Sequence, residues 1–291
     1  MCYERTGKMT YKRGSVEIGG ATLNYVAEGE GPALLVLGSS IYYPRTFSKG
    51  LRRSCTLICI DLPHFVPLNA RFDHASISFD FYSECIDAVR TDAGLSRVMV
   101  LGHSHHGNIA LEYARRKPYG VSHVVLIGTP PANIEATIES AEHYWQHHAS
   151  SERKEALRSR RASASLTSMS AHSPSEAYIR QYVTDAPLYW HDPHYDAAWL
   201  WEGMSFSMDG VHAFRNLYRS YGLHWDAALE KLPMLVVMGV DDFAVPPTMW
   251  SGILPDLKNV TFRQLNRCGH TPQLEQANEF DRTLLAWLSN P

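Results

Sequence analysis

Three residue types that together carry out acyl transfer stand in this chain, each just after an apolar run. Arg97-Val98-Met99-Val100-Leu101 leads into Gly102-His103-Ser104-His105-His106-Gly107, and the helix-spaced Asn108-Ile109-Ala110-Leu111-Glu112-Tyr113-Ala114 follows. A serine at a sharp strand-to-helix turn has its hydroxyl lifted above the sheet edge and its neighbouring amide aimed at a bound carbonyl. Serine is a poor nucleophile at neutral pH. It needs a base within hydrogen-bond reach and a carboxylate that fixes the base's tautomer and stabilises its imidazolium. Of fifteen histidines, His270 has the right address: Gly269-His270-Thr271-Pro272 follows the strand-like Val260-Thr261-Phe262-Arg263-Gln264-Leu265 and precedes the last helix. The carboxylate should follow the preceding strand. Leu235 to Met238 ends in Gly239-Val240-Asp241-Asp242-Phe243, and Asp242 is favoured, leaving Asp241 to solvate the turn.

These residues need a sheet to hold them. Apolar runs at Ala33 to Leu37, Cys55 to Ile60, Val98 to Leu101, Val121 to Ile127 and Leu235 to Met238 are too short for helices and read as parallel strands buried on both faces. Ser15 to Ile18 and Thr22 to Val26, joined through Gly19-Gly20, read as an antiparallel hairpin. Helical spacing appears at Phe79 to Ala93, Asn108 to Arg116 and Glu279 to Leu288. The alternation implies an α/β fold, a mostly parallel eight-stranded sheet with helices on both faces.

Between about 132 and 225 no buried strand is visible. We expect a helical lid there, inserted into a core formed by 1–131 and 226–291. Its Ser150 to Ser173 stretch is rich in Ser, Ala and Arg and reads as a solvated helix or mobile loop, with a recognition surface as the alternative. The lid aromatics Tyr144, Trp145, Tyr189, Trp190, Trp199 and Trp201 suit either an apolar pocket or the lid's own small core. We expect Ser40, Tyr42, His103, Trp190 and Trp201 to contact substrate.

In the order Ser, Asp, His, with Gly-x-x-Asp-x-x-x-Pro from Gly239 to Pro246 and Gly-His-x-Pro-x-x-Glu from Gly269 to Glu275, the chain resembles the α/β-hydrolase superfamily, nearest its proline iminopeptidase-like branch. Lid segments Pro187 to Asp192 and Leu200 to Gly203 add to the likeness, which covers nearly the whole length. The resemblance implies a serine hydrolase acting on an ester or amide through an acyl-enzyme. It also implies an oxyanion hole from the amides of His105 and Ser39. Two departures stand out. Relatives usually carry glycine where this chain has His106, so either the turn is re-set or that ring projects sideways, as a packed histidine or a binding group. The loop Leu37-Gly38-Ser39-Ser40-Ile41-Tyr42 lacks the His-Gly pair that the superfamily resemblance implies and the further Gly-Pro-Gly of iminopeptidases. N-terminal proline release remains an alternative, with Glu202 and Asp192 as candidate ammonium holders or structural caps. A non-hydrolytic member, a binding scaffold or a catalyst of acyl transfer or cyclisation, is another.

Composition narrows the partners. At 291 residues, 45 % hydrophobic and 20 % charged, the chain can bury a large core; its net charge of −3 offers no basic stripe for nucleic acid. No run approaches the roughly 20 apolar residues of a membrane span, and the first residues show no signal-peptide core, so a cytoplasmic protein without membrane contact is expected. Cys2, Cys55, Cys59, Cys85 and Cys268 read as reduced thiols. His103, His105 and His106, or His143 and His147, could suggest a metal, but consecutive residues of a turn diverge and no His-Glu pair accompanies them. No metal or cofactor is expected; the partner is a small ester, amide or short peptide.

Overall fold

A computed structural model describes residues 10–68, 72–167 and 173–289. Cys2 and residues 168–172 of the Ser-, Ala- and Arg-rich stretch lie outside them. Eight strands form one sheet: β1 (Thr10–Ile18), β2 (Ala21–Gly29), β3 (Ala33–Gly38), β4 (Thr56–Asp61), β5 (Val98–His103), β6 (Val121–Ile127), β7 (Met234–Gly239) and β8 (Val260–Leu265). Their spatial order is β1-β2-β4-β3-β5-β6-β7-β8. β2 runs antiparallel to β1 and β4, and all other pairs are parallel.

The continuous apolar runs exist because the inner strands bury both faces. Leu35, Leu37, Ile58, Ile60, Val100, Leu126 and Val236 belong to the core on one side, with α1 (Phe79–Asp92) and α2 (His105–Arg116). Their alternating neighbours Leu34, Val36, Leu57, Cys59, Leu101, Val125 and Val237 face the other side, where Phe280, Leu284 and Trp287 of the last helix pack. This period of two is what a strand imposes on its side chains. Cys55, Cys59, Cys85 and Cys268 are buried free thiols.

Between β6 and β7 come α3 (Ile134–His148), α4 (Ser151–Thr167), α5 (Pro174–Thr184), α6 (Ala186–Tyr189), α7 (Ala198–Trp201) and α8 (Met208–Leu217). The chain closes with α9 (Pro272–Glu275) and α10 (Ala277–Ser289). Two arginines of α4, Arg153 and Arg160, are not the solvated groups their composition suggests, while Arg161 stays exposed. Arg153 is buried and donates to the carbonyls of Pro187, Trp190 and His191. Arg160 donates to those of Val183 and Thr184, and Arg161 pairs with Asp185. Carbonyls at and just beyond the ends of α5 and α6 thus receive side-chain donors from α4.

Strand order places the loops that matter. β3 is followed by β4 on one side, and the chain then crosses back to β5 on the other, so β3 and β5 end side by side, with Leu37 opposite Gly102. At such a switch point the loops diverge and leave a crevice above the carboxyl ends of the strands. Among the described residues no helix is long and apolar enough to cross a membrane.

Candidate active site

Ser104 joins β5 to α2 with φ +56° and ψ −139°, a region that residues with side chains rarely occupy. The turn is held from both sides. The Ser104 amide donates to Ile127 of β6 at 2.8 Å, and its carbonyl accepts from Gly107 N–H at 2.9 Å. So tight a turn leaves no space for side chains around it. A Cβ on Gly102 would stand 2.3 Å from the His106 carbonyl oxygen and 2.4 Å from Gly107 Cα, and one on Gly107 would stand 2.0 Å from Thr129 Oγ1. Gly102→Ala therefore meets backbone that cannot yield. It is expected to cost roughly 3 kcal/mol and lower the Tm by roughly 5–10 °C, read by thermal unfolding.

His270 lies in the loop after β8. Its Nδ1 is 2.7 Å from Asp242 Oδ2, and the ring rests against Gly128, which directly follows β6. Asp242 is fully buried after β7, its Oδ1 accepting from the amides of Ala244 (3.0 Å) and Val245 (2.8 Å). The carboxylate is thus aimed by two main-chain donors and presents its second oxygen to the histidine. Asp241, expected to solvate the turn, instead meets His191 Nδ1 at 2.6 Å. Glu275 accepts from the amides of Gly269, Thr271 and His191, which braces the loop around His270.

Ser104 and His270 open into one cavity of about 110 Å³. It is lined also by Tyr42, Tyr43, Phe65, His103, His105 and His106, and by Tyr178, Tyr182, Tyr189, Trp190, Trp201, Met204 and Phe214 from the helical segment between β6 and β7. Of the expected contact residues, Tyr42, His103, Trp190 and Trp201 reach it. Ser40 does not: its amide donates to Asp61 Oδ1 at 2.6 Å and its hydroxyl also turns to that carboxylate. Tyr43, Phe65, Tyr178, Tyr182, Met204 and Phe214 line it as well, with no local pattern in the sequence to mark them. Tyr144 and Trp145 pack on Phe243, and Trp199 stays 39 % exposed.

Ser39 directly follows β3, the strand paired with the one that leads into the strand-to-helix elbow at Ser104. Its hydroxyl accepts from the amides of Ile41 and Tyr42, both at 3.1 Å, which fixes the loop. Among the described residues, neither the Ser39 nor the His105 main-chain N–H has a protein acceptor. Asp192 caps His194 N–H at 2.9 Å, and Glu202 is exposed.

His106 projects sideways over β3. Gly38 makes the room: a Cβ there would stand 2.8 Å from His106 Nδ1. Burial holds His106 well below the usual imidazole range, reinforced by neighbouring histidines, and pushes His64 and His103 down to about 3 and His105 to about 4. All four are neutral at pH 7. His143 and His147 lie together on α3, where His147 Nδ1 bonds to the His143 carbonyl.

Comparison with known proteins agrees with this architecture. The family model for the alpha/beta hydrolase fold matches residues 36–277. The AB hydrolase superfamily protein YclE of Bacillus subtilis (strain 168) is 30 % identical over 276 residues, covering 92 % of this chain and 96 % of its own. Two solved structures share the fold. One is a proline iminopeptidase-related protein from Thermus thermophilus, at TM-score 0.65 and 20 % identity over 97 % of this chain and 98 % of that one. The other is a meta-cleavage product hydrolase from Pseudomonas fluorescens IP01, at TM-score 0.62 and 18 % identity over 95 % and 97 %. With strand order, elbow and sequence match in agreement, this chain belongs to the alpha/beta hydrolase fold family.

Proposed function

We propose that the protein is a serine hydrolase that cleaves a small, uncharged carboxylic ester or amide through an acyl-enzyme. The observation that carries the reading is the joint placement of Ser104, on a strained turn, and of His270, hydrogen-bonded to a buried Asp242, on one aromatic cavity. His270 removes the hydroxyl proton as Ser104 attacks the carbonyl carbon. Asp242 holds the tautomer with Nδ1–H towards itself and stabilises the imidazolium. The tetrahedral oxyanion is received by the amides of Ser39 and His105, each worth roughly 3 kcal/mol in a hydrolase of this kind. Collapse expels the alcohol or amine, protonated by His270; water, activated by the same ring, then releases the acid.

In this proposal 132–225 is a lid over a core of 1–131 and 226–291, and its aromatics shape the substrate pocket. The cavity's chemistry bears on the substrate. Among the described residues that line it there is no Asp, Glu, Lys or Arg, and three of its four histidines are held neutral by burial. A charged substrate would lose its hydration there without gaining a partner. That argues against release of an N-terminal proline, which needs a carboxylate for the ammonium, and favours an apolar acyl group. A cavity of about 110 Å³ takes a group near the size of a benzene ring, as does an apolar cavity of about 150 Å³ in another protein. With matched p-nitrophenyl esters, kcat/KM for a phenylacetyl substrate is expected to exceed that for its succinyl or prolyl counterpart by about 100-fold or more. Equal rates, or preference for the charged esters, would sink the uncharged-substrate reading.

A further inference from the structure

We infer that Tyr82, His64, His106, Tyr43 and His103 form a one-directional hydrogen-bonded chain that positions the base His270 and keeps positive charge away from it. What His270 does in this inference rests on the serine-hydrolase reading; the direction of the chain rests on hydrogen-bond geometry between neutral rings. His103 Nε2 lies 2.7 Å from the carbonyl oxygen of His270, which can only accept, so Nε2 carries the proton. In a neutral ring Nδ1 is then an acceptor, and the Tyr43 hydroxyl, 3.2 Å away, donates to it. With its one proton committed, the Tyr43 oxygen accepts from His106 Nδ1–H at 2.9 Å. His106 Nε2 is left to accept from His64 Nε2–H at 3.0 Å, and His64 Nδ1 accepts from the Tyr82 hydroxyl at 2.8 Å.

Every proton along this path points towards His270, and aligned bonds polarise one another in the same sense. The far end of the path is closed to water: Tyr82 and His64 are fully buried, while Tyr43, His103 and His106 line the cavity. It therefore serves to fix geometry rather than to conduct protons. Position gives that geometry a purpose. His103 directly precedes Ser104, so the strand that carries the nucleophile also grips the peptide of the base, while the His270 amide donates to Tyr189 from the other side. The rings of His103 and His270 are 4.6 Å apart between centroids, so an imidazolium at His103 would oppose the one that must form at His270. The groups facing His103 are Tyr43 with Cys59 of β4 behind it, His106 of α2, and His270 with Asp242; Tyr189 and Glu275 flank the His270 loop. The hydroxyl of Tyr43 occupies the nitrogen of His103 that would otherwise take a proton.

Two measurements test this. In wild-type protein, nitrogen-15 correlation spectra of the ring nitrogens are expected to show His64 and His103 as Nε2–H tautomers and His106 as the Nδ1–H tautomer, all neutral from pH 5.5 to pH 8. A different tautomer at any of the three, or an imidazolium in that range, would overturn the chain whether or not the enzyme hydrolyses esters. In Tyr43→Phe, kcat is expected to fall roughly 10-fold at neutral pH with KM changed by less than about twofold. Without the Tyr43 donor the neutral form of His103 loses a hydrogen bond while its burial persists, so the acid limb of kcat/KM is expected to move modestly towards neutral pH. A uniform fall with the limb unchanged, or no effect, would show Tyr43 to be only structural and overturn the inference. Failure of wild-type turnover would instead count against the hydrolase reading.

Discussion

Ser104→Ala is expected to lower kcat on ester substrates by about 10⁶-fold, to the residual level that binding and oxyanion donors sustain in serine hydrolases. Among the described residues the hydroxyl makes no capping hydrogen bond to α2, whereas the main chain of residue 104 is tied to Ile127 and Gly107. Alanine keeps a Cβ, so the strain at φ +56° persists, and the mutant should melt within a few degrees of wild type. Glycine would relieve about 1 kcal/mol of that strain, so Ser104→Gly should be as inactive and slightly more stable. The two variants thus separate chemistry from backbone conformation. Near-wild-type turnover by purified, folded Ser104→Ala would remove the proposed nucleophile.

Asp242→Asn is expected to cost about 10⁴-fold in kcat with little change in KM. The buried carboxylate uses one oxygen for two main-chain N–H groups and the other for His270 Nδ1. An asparagine can serve only one of these with an acceptor. If its oxygen stays with Ala244 and Val245, its NH₂ faces Nδ1 and turns the imidazole to the wrong tautomer, with the proton on the nitrogen that should receive the serine's. If it flips, two donors face two N–H groups in a fully buried place, and folding itself is penalised. Asp241→Asn is the matched control. Asp241 pairs with the half-exposed His191 rather than with His270, and its loss should change kcat by less than about fivefold. Comparable losses from both variants would contradict the choice of Asp242.

The extent to which these features were legible in the sequence follows from how local each one is. The inner strands show as unbroken apolar runs because both their faces are covered, and the elbow shows because strand, glycines, serine and helix are contiguous. α2 starts three residues earlier than helical spacing suggests, at His105, because the elbow feeds straight into it. Non-local partners left no such trace. His106 marks a departure in the sequence, but its partners Tyr43 and His64 lie 63 and 42 residues away, and only the folded chain brings them together. Ser40 was drawn to the pocket by its place after β3, yet the Asp61 carboxylate at the end of neighbouring β4 captures it. Tyr178 and Tyr182 were missed because an aromatic pair spaced four apart on a helix reads the same whether it faces a core or a cavity. Arg153 and Arg160 of α4 read as solvated for a related reason: the main-chain carbonyls that receive them are invisible in composition.

The most direct test of the proposed chemistry is covalent labelling with a fluorophosphonate, followed by intact-mass measurement and peptide mapping. Such a reagent phosphonylates a serine only where a base and an oxyanion site activate it. The expected result is one adduct per chain, on the peptide containing Ser104, formed in wild type and absent in Ser104→Ala. No adduct under conditions that label a known serine hydrolase, or an adduct that persists in Ser104→Ala, would contradict the assignment of Ser104 as nucleophile.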